Sequence, residues 1–199
     1  MELIQQYPDI EAYLAASESV DHEHPLVRAV SDRLADDHPD AYSYAEAAYV
    51  YVRDSIPHSM DSGDLRVTWR ASDVLERRTG ICYAKSLAYA ALLRARGIPA
   101  ALCYQRLTED DGSDPVIHGL VAVLLPGEGA WARQDVRGNG PGIDARFSLG
   151  GERLARRVRP ELGETDYPEL YAEPHPVVLG VLKAAPDRPA LDRTLPAEL

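Results

Sequence analysis

Cysteine is scarce in this sequence. Cys82 and Cys103 are the only two among 199 residues. That excludes a disulfide framework, and nothing in the sequence demands that the two pair. Positive charge is also in deficit: 21 Lys and Arg stand against 32 Asp and Glu, for a formal net charge of −11. Such a surface favours solubility and repels phosphate backbones and anionic lipid, so neither nucleic acid nor membrane is expected as a partner. No apolar run approaches the ~20 residues that span a bilayer. The opening MELIQQYPDIEAYL lacks an apolar signal core, so the expected compartment is the cytoplasm, where thiols stay reduced. Internal repeats and low-complexity tracts are lacking too.

What remains is ordinary for a globular chain, with 45% hydrophobic and 27% charged residues. The length fits one domain over 1–199, large enough to bury a core without staples.

The first half reads as helical. Leu26, Val27, Val30 and Leu34 form one stripe in 24–37, and Tyr44, Ala45, Ala48, Tyr51 and Val52 form another in 41–56, which Pro57 ends. Residues 58–71 read as a loop or short extended piece. Ser72 is the expected cap of a short helix that stops at Thr79-Gly80. A longer helix is expected over 82–97, with Gly97 as its C-cap and Pro99 blocking continuation. Its Ala84, Ala88, Ala91 and Ala95 would let it sit close to a sheet. The period then changes. Residues 100–107 and 118–125 are strand-like, the latter apolar on both faces as in a central strand. PGEG (126–129) is a turn, and 131–136 a return strand with Trp131, Arg133 and Asp135 on one face. A loop over 137–147 entering a short strand, a strand at 154–160 and a helix at 176–184 complete the expectation. Helices first and an antiparallel sheet second make an α+β fold.

Cys82 opens the Ala-rich helix after Gly80-Ile81. A helix N-terminus, with unpaired N–H groups and the positive end of the macrodipole, favours an anion. A thiol there ionises more readily, and the thiolate is the nucleophile. The same N–H groups can serve an oxyanion. The competing reading of a lone cysteine is a small buried hydrophobe, and Cys103, mid-strand, is read that way.

His118 begins the central strand, and Asp135 ends the next one. If PGEG is a four-residue turn, Leu120 faces Asp135. His118 then lies diagonal to Asp135 on the same face, about 7–8 Å away between backbones and within reach of the two side chains. A base with one ring nitrogen toward sulfur and the other held by a carboxylate needs this arrangement. Alone, a histidine at a strand start reads as a surface or capping residue. The helix-tip cysteine changes that. Histidines 22, 24, 38, 58 and 175 have no such context. Asp21-His22-Glu23-His24 has metal-ligand residue types but reads as the acidic opening of a helix, and no metal or other cofactor is expected.

The residues from Gly80 to Ala100, followed by the hairpin from His118 through Trp131 to Asp135, resemble the core of the transglutaminase-like superfamily, of the stand-alone bacterial type. The family's Gly-x-Cys matches Gly80, Ile81 and Cys82, and its Leu-Arg-x-x-Gly-Ile-Pro-Ala matches Leu93, Arg94, Gly97, Ile98, Pro99 and Ala100. Its histidine matches His118, and its Trp-x-x-x-Asp matches Trp131 and Asp135. The resemblance covers about residues 40–145. It implies a papain-like cysteine proteinase fold with Cys82, His118 and Asp135 as a catalytic triad. In the family a tryptophan often follows the histidine closely, whereas this chain reads His118-Gly119-Leu120, which implies a thinner aromatic wall. Trp69, Tyr104 and Gln105 are candidates for the side-chain oxyanion donor, and Trp69 and Trp131 for walls around the substrate.

A triad of this kind carries two-step acyl transfer on a peptide or amide substrate. Water as acceptor makes a cysteine peptidase or amidase. An amine makes a transglutaminase or another amide-forming enzyme. Hydrolysis is the expectation, because water needs no dedicated acceptor site. The rivals of another class are a catalytically idle peptide-binding module and a plain interaction domain. The sequence reveals neither the substrate nor the oligomeric state.

Overall fold

A computed structural model describes residues 1–140 and 142–199. Pro141, within the loop expected over 137–147, lies outside the described residues.

The helical half forms as its stripes and caps dictate. Helix α1, Pro25–Asp37, begins on a proline, and the ring of His24 accepts the Leu26 N–H at 3.2 Å. Helix α2, Ala41–Ser55, is capped by Asp40, which accepts from Tyr42 and Ser43, and it stops before Pro57. Tyr44, Ala45, Ala48, Tyr49 and Val52 are its buried residues, with Tyr49 where Tyr51 was expected. One helical turn, α3, Ser59–Ser62, occupies the segment expected to be loop or extended. Helix α4, Ala71–Arg77, follows, with Arg70 rather than Ser72 at the N-cap. Ser72 is instead held from outside the helix: its N–H donates to Asp21 Oδ1 at 3.0 Å. A carboxylate brought in by the chain thus does what a local serine was expected to do.

Helix α5, Cys82–Arg94, is the centre of the molecule, with every one of its residues buried. It ends in a Schellman arrangement: Ile98 N–H donates to Leu93 O and Gly97 N–H to Arg94 O, with Gly97 at φ +70°. Regular helix therefore stops three residues before the expected boundary, while Gly97 makes the terminating turn.

The sheet has the order β4-β3-β2-β5, all antiparallel. Its strands are β2, Ala100–Leu107; β3, Val116–Val123; β4, Ala132–Gln134; and β5, Thr165–Asp166. A second pair joins β1, Ile4–Gln5, in parallel to β6, Glu169–Leu170. Pairing of Val121 with Gln134 and Ala122 with Arg133 is the register that a four-residue turn sets. On the inner face, Leu102, Tyr104, Val121 and Val123 join the main core with α5. On the outer face, Ala101, Cys103, Leu120 and Ala122 form a smaller core with Tyr13 and Leu170. Helices α6, Pro176–Ala184, and α7, Arg188–Asp192, finish the fold. The last residues return to the sheet, where Ile117 N–H donates to Pro196 O at 2.8 Å.

Two expected strands do not form. Residues 154–160 carry no strand, and two of their N–H groups are taken by side chains. Ala155 N–H donates to Asp135 Oδ2 at 3.0 Å, and Arg159 N–H to Glu164 Oε2 at 2.6 Å. After residue 137, the chain makes an isolated bridge between Gly140 and Ile143 instead of a strand.

Candidate active site

Cys82 is the first residue of α5, behind an extended Ile81 at φ −78°, ψ 177°. Its approach to β3 depends on Gly119. A Cβ there would stand 2.9 Å from Tyr83 Cδ1 and 3.3 Å from Tyr83 Cα, so a side chain after His118 would push the helix tip off the strand. The Tyr83 hydroxyl then donates to Ile117 O at 2.6 Å, tying the residue after the cysteine to the residue before the histidine.

His118 Nε2 lies 2.9 Å from Asp135 Oδ2. Asp135 is fully buried, and its carboxylate also accepts the Arg137 N–H on Oδ1 and the Ala155 N–H on Oδ2, each at 3.0 Å. An ionised carboxylate only accepts, so Nε2 carries a proton and Nδ1 is the nitrogen left for sulfur.

The charges follow. Burial pushes the Cys82 thiol up, but the charge and hydrogen bonding of His118, with a smaller contribution from His58, outweigh this and bring it to about 5. Burial pushes His118 down, and Asp135 and then Cys82 raise it to about 10. These are two sides of one thiolate–imidazolium pair. Burial likewise works against the Asp135 carboxylate, and His118 and the two backbone donors hold it below its ordinary range. Cys103 has no such company, and burial pushes it up to about 12.

A cavity of about 270 Å³ opens over Cys82 and His118, with largely apolar walls that include Met60, Ile81, Leu107 and Ile143. The four residues expected to bind substrate do not line it. Trp69 is flanked by the Arg70 and Lys183 cations, 4.1 and 4.5 Å from its ring centroid. Tyr104 is buried under the sheet, its hydroxyl accepting the His175 N–H at 3.0 Å. Gln105 pairs across the ladder with His118, yet its amide donates to Asp166 at 2.8 Å. Trp131 packs edge-on against Tyr13 at 5.2 Å, beside the outer core.

Two residues that the sequence did not mark stand against Cys82 and the His118–Asp135 pair. His58, only 6% exposed, accepts the Cys82 N–H on Nε2 at 3.0 Å. It is brought there by a parallel bridge between His58 and Gly80. Lys85, one turn after Cys82 and fully buried, donates from Nζ to Arg53 O, Ile56 O and Arg137 O at 3.2, 2.7 and 2.7 Å. Burial lowers its pKa to about 8, against the pull of Asp135. It thereby clamps the chain just before His58 and just after Asp135 onto the helix that Cys82 opens. The His24 and Asp21 side chains cap α1 and hold α4. Among the described residues, no group of three or more His, Cys, Asp or Glu side chains has a metal-holding arrangement, and no helix is long and apolar enough to cross a membrane.

A family model described as the transglutaminase-like superfamily matches residues 28–136. Among solved structures, a candidate cysteine protease from Cytophaga hutchinsonii is similar at 20% identity and a TM-score of 0.53, over 66% of this chain and 43% of that one. The periplasmic domain of TgpA from Pseudomonas aeruginosa is similar at 21% identity and a TM-score of 0.45, over 64% of this chain and 47% of that one. The chain spans less than half the length of each of these structures. Its likeness to the first is a likeness of fold. Among curated proteins, none matches.

Proposed function

The chain belongs to the transglutaminase-like superfamily, and from that premise we propose that it is a thiol-dependent acyl-transfer enzyme that hydrolyses an amide or peptide bond. One observation carries the reading: His118 is held by a buried carboxylate at 2.9 Å beside a thiol brought down to about 5. In this mechanism the Cys82 thiolate attacks the carbonyl carbon. A C–S bond forms, and the carbonyl π pair moves to oxygen. As the intermediate collapses, the C–N bond breaks and His118 gives its Nδ1 proton to the leaving amine. His118 then takes a proton from water, which attacks the thioester, and the C–S bond breaks to restore the thiolate. Asp135 keeps the ring oriented throughout and stabilises its charge.

The apolar cavity walls suit an amide flanked by apolar groups. The experiment has two stages. Incubation with p-nitrophenyl acetate is expected to leave an acetyl adduct on Cys82, seen by peptide mass mapping and missing in Cys82→Ala. Without that adduct the chain is an idle binding module. A glutamine-bearing peptide is then supplied with and without a labelled primary amine. Ammonia release with no label incorporated is the expected result, and Cys82-dependent incorporation would make the acceptor an amine.

A further inference from the structure

Attack on a carbonyl leaves a negative oxygen beside the nucleophile, and the free N–H at the tip of α5 is the first group suited to receive it. Here that N–H, the amide of Cys82, is already engaged by His58 Nε2 at 3.0 Å. The imidazole nitrogen therefore stands where the oxyanion would be held. We propose that His58 is the side-chain donor to the oxyanion formed at Cys82, an assignment that rests on the acyl-transfer reading above.

The two imidazoles of the site differ in how their protons are held. Asp135 pins a proton on His118 Nε2. In His58, Nε2 accepts the amide N–H, so the neutral ring carries its proton on Nδ1. That buried Nδ1 has no hydrogen-bond partner among the described residues. No protein acceptor fixes the proton there, and an unpartnered buried donor is the costlier state. His58 also lines the cavity, and moving the proton from Nδ1 to Nε2 leaves the ring's charge unchanged. With Nε2 protonated and the ring displaced by about the width of one oxygen atom, Cys82 N–H and His58 Nε2–H converge on the same oxygen.

The backbone that carries the ring is fixed for this purpose. Ser59 N–H donates to Gly80 O at 3.1 Å, and Lys85 holds Ile56 O at 2.7 Å. None of the three alternatives lines the cavity over Cys82: the Gln105 amide donates to Asp166, Tyr104 is buried beside His175, and the Trp69 ring is flanked by two cations. The step balances without a co-reactant. The oxygen receives the π pair and two hydrogen bonds but no proton. The pair returns as the leaving bond breaks, and His58 keeps its Nε2 proton throughout.

The test compares two reactions at the same sulfur near neutral pH. Iodoacetamide alkylates Cys82 by displacement, with no oxyanion, whereas p-nitrophenyl acetate acylates it through one. In His58→Phe, acylation is expected to fall by ~10²–10³, the loss on removing one oxyanion donor, while alkylation holds near the wild-type rate. His58→Gln, whose amide can donate, should recover part of the loss. Equal falls in both rates would make His58 a positioning residue and overturn the assignment, as would unchanged acylation. If circular dichroism shows the Phe variant unfolded, His58→Leu and His58→Gln make the same comparison. A wild-type protein that alkylates at Cys82 but never acylates would sink the acyl-transfer reading itself, an outcome distinct from failure of the His58 variants.

Discussion

Selective alkylation of Cys82 over Cys103 tests the electrostatics of the site before any substrate is known. Cys82 titrates at about 5 and Cys103 at about 12. At about pH 6, roughly nine-tenths of Cys82 and about one part in 10⁶ of Cys103 is thiolate. A less basic thiolate is also a weaker nucleophile, with a slope of about 0.4–0.5 per decade of acidity. Over the seven decades between the two thiols, that returns about 10³ of the advantage. A rate ratio of about 10³ in favour of Cys82 remains. Access widens it, since Cys103 is fully buried while Cys82 is 9% exposed at the cavity floor. The assay is competitive labelling with limiting iodoacetamide near pH 6, quenched over time and read by peptide mass mapping. The Cys82 rate should also fall by half as the pH is lowered to about 5. Equal labelling of the two cysteines, or labelling of Cys103 first, would refute the claim that His118 and the helix tip hold a thiolate.

The remaining expectations follow from the same groups. Cys82 is lowered in the folded state, so its contribution to stability is present above the ordinary thiol value and is lost as pH falls through about 5. His118 is raised, so its contribution is full below the ordinary imidazole value and is lost as pH rises through about 10. The ion pair therefore persists between those limits, and ultraviolet titration should show thiolate absorbance appearing near the lower one. In His118→Ala that midpoint should move up past the ordinary thiol range, because the largest contribution opposing burial is then gone. Asp135→Asn should keep the fold and lose about 10²–10⁴ in acylation rate, since it releases the His118 tautomer. A rate near wild type would remove Asp135 from the site. Lys85→Met leaves three carbonyls without their cation, at roughly 1–3 kcal/mol for each buried group left unsatisfied. Thermal unfolding should show a loss of several degrees, and an unchanged melting temperature would contradict the clamp.

Local patterns carried most of the fold. The stripe Tyr44, Ala45, Ala48 and Val52 with Pro57 after it defines α2, because both signals lie within the helix and its next residues. The β3–β4 register was legible because the pairing implied by a turn at PGEG, from Val123–Ala132 to Val121–Gln134, is the one that forms, although residues 124–131 lie outside the ladder. The failures share a cause. LARRVRP alternates like a strand, yet the N–H groups of Ala155 and Arg159 are claimed by Asp135 and Glu164, and no period encodes that. The fourth strand, β5, is two residues long, too short to show any period. Ser72 looked like a cap because serine caps helices, but Asp21, remote in sequence, makes the bond.

Chemical type marked Cys82, His118 and Asp135 but not the residues around them. Cys82, His118 and Asp135 each have a local cue: a helix tip, the head of an apolar strand, and a place across one hairpin, although β3 begins at Val116 and not at His118 as expected. His58 and Lys85 have none, because their partners are main-chain groups. A backbone N–H or carbonyl looks the same at every residue, so the Cys82 amide leaves no trace at His58, nor the Ile56 and Arg137 carbonyls at Lys85. The four misplaced candidates show the converse. Tyr104 and Gln105 are adjacent on one strand and must point to opposite faces. One therefore sinks beneath the sheet, while the other stays beside His118 but is drawn to Asp166. Residue type suggested that either could donate to an oxyanion. Strand parity and the Asp166 carboxylate decided that neither is free to, and that leaves the donor's place to the imidazole already resting on the Cys82 amide.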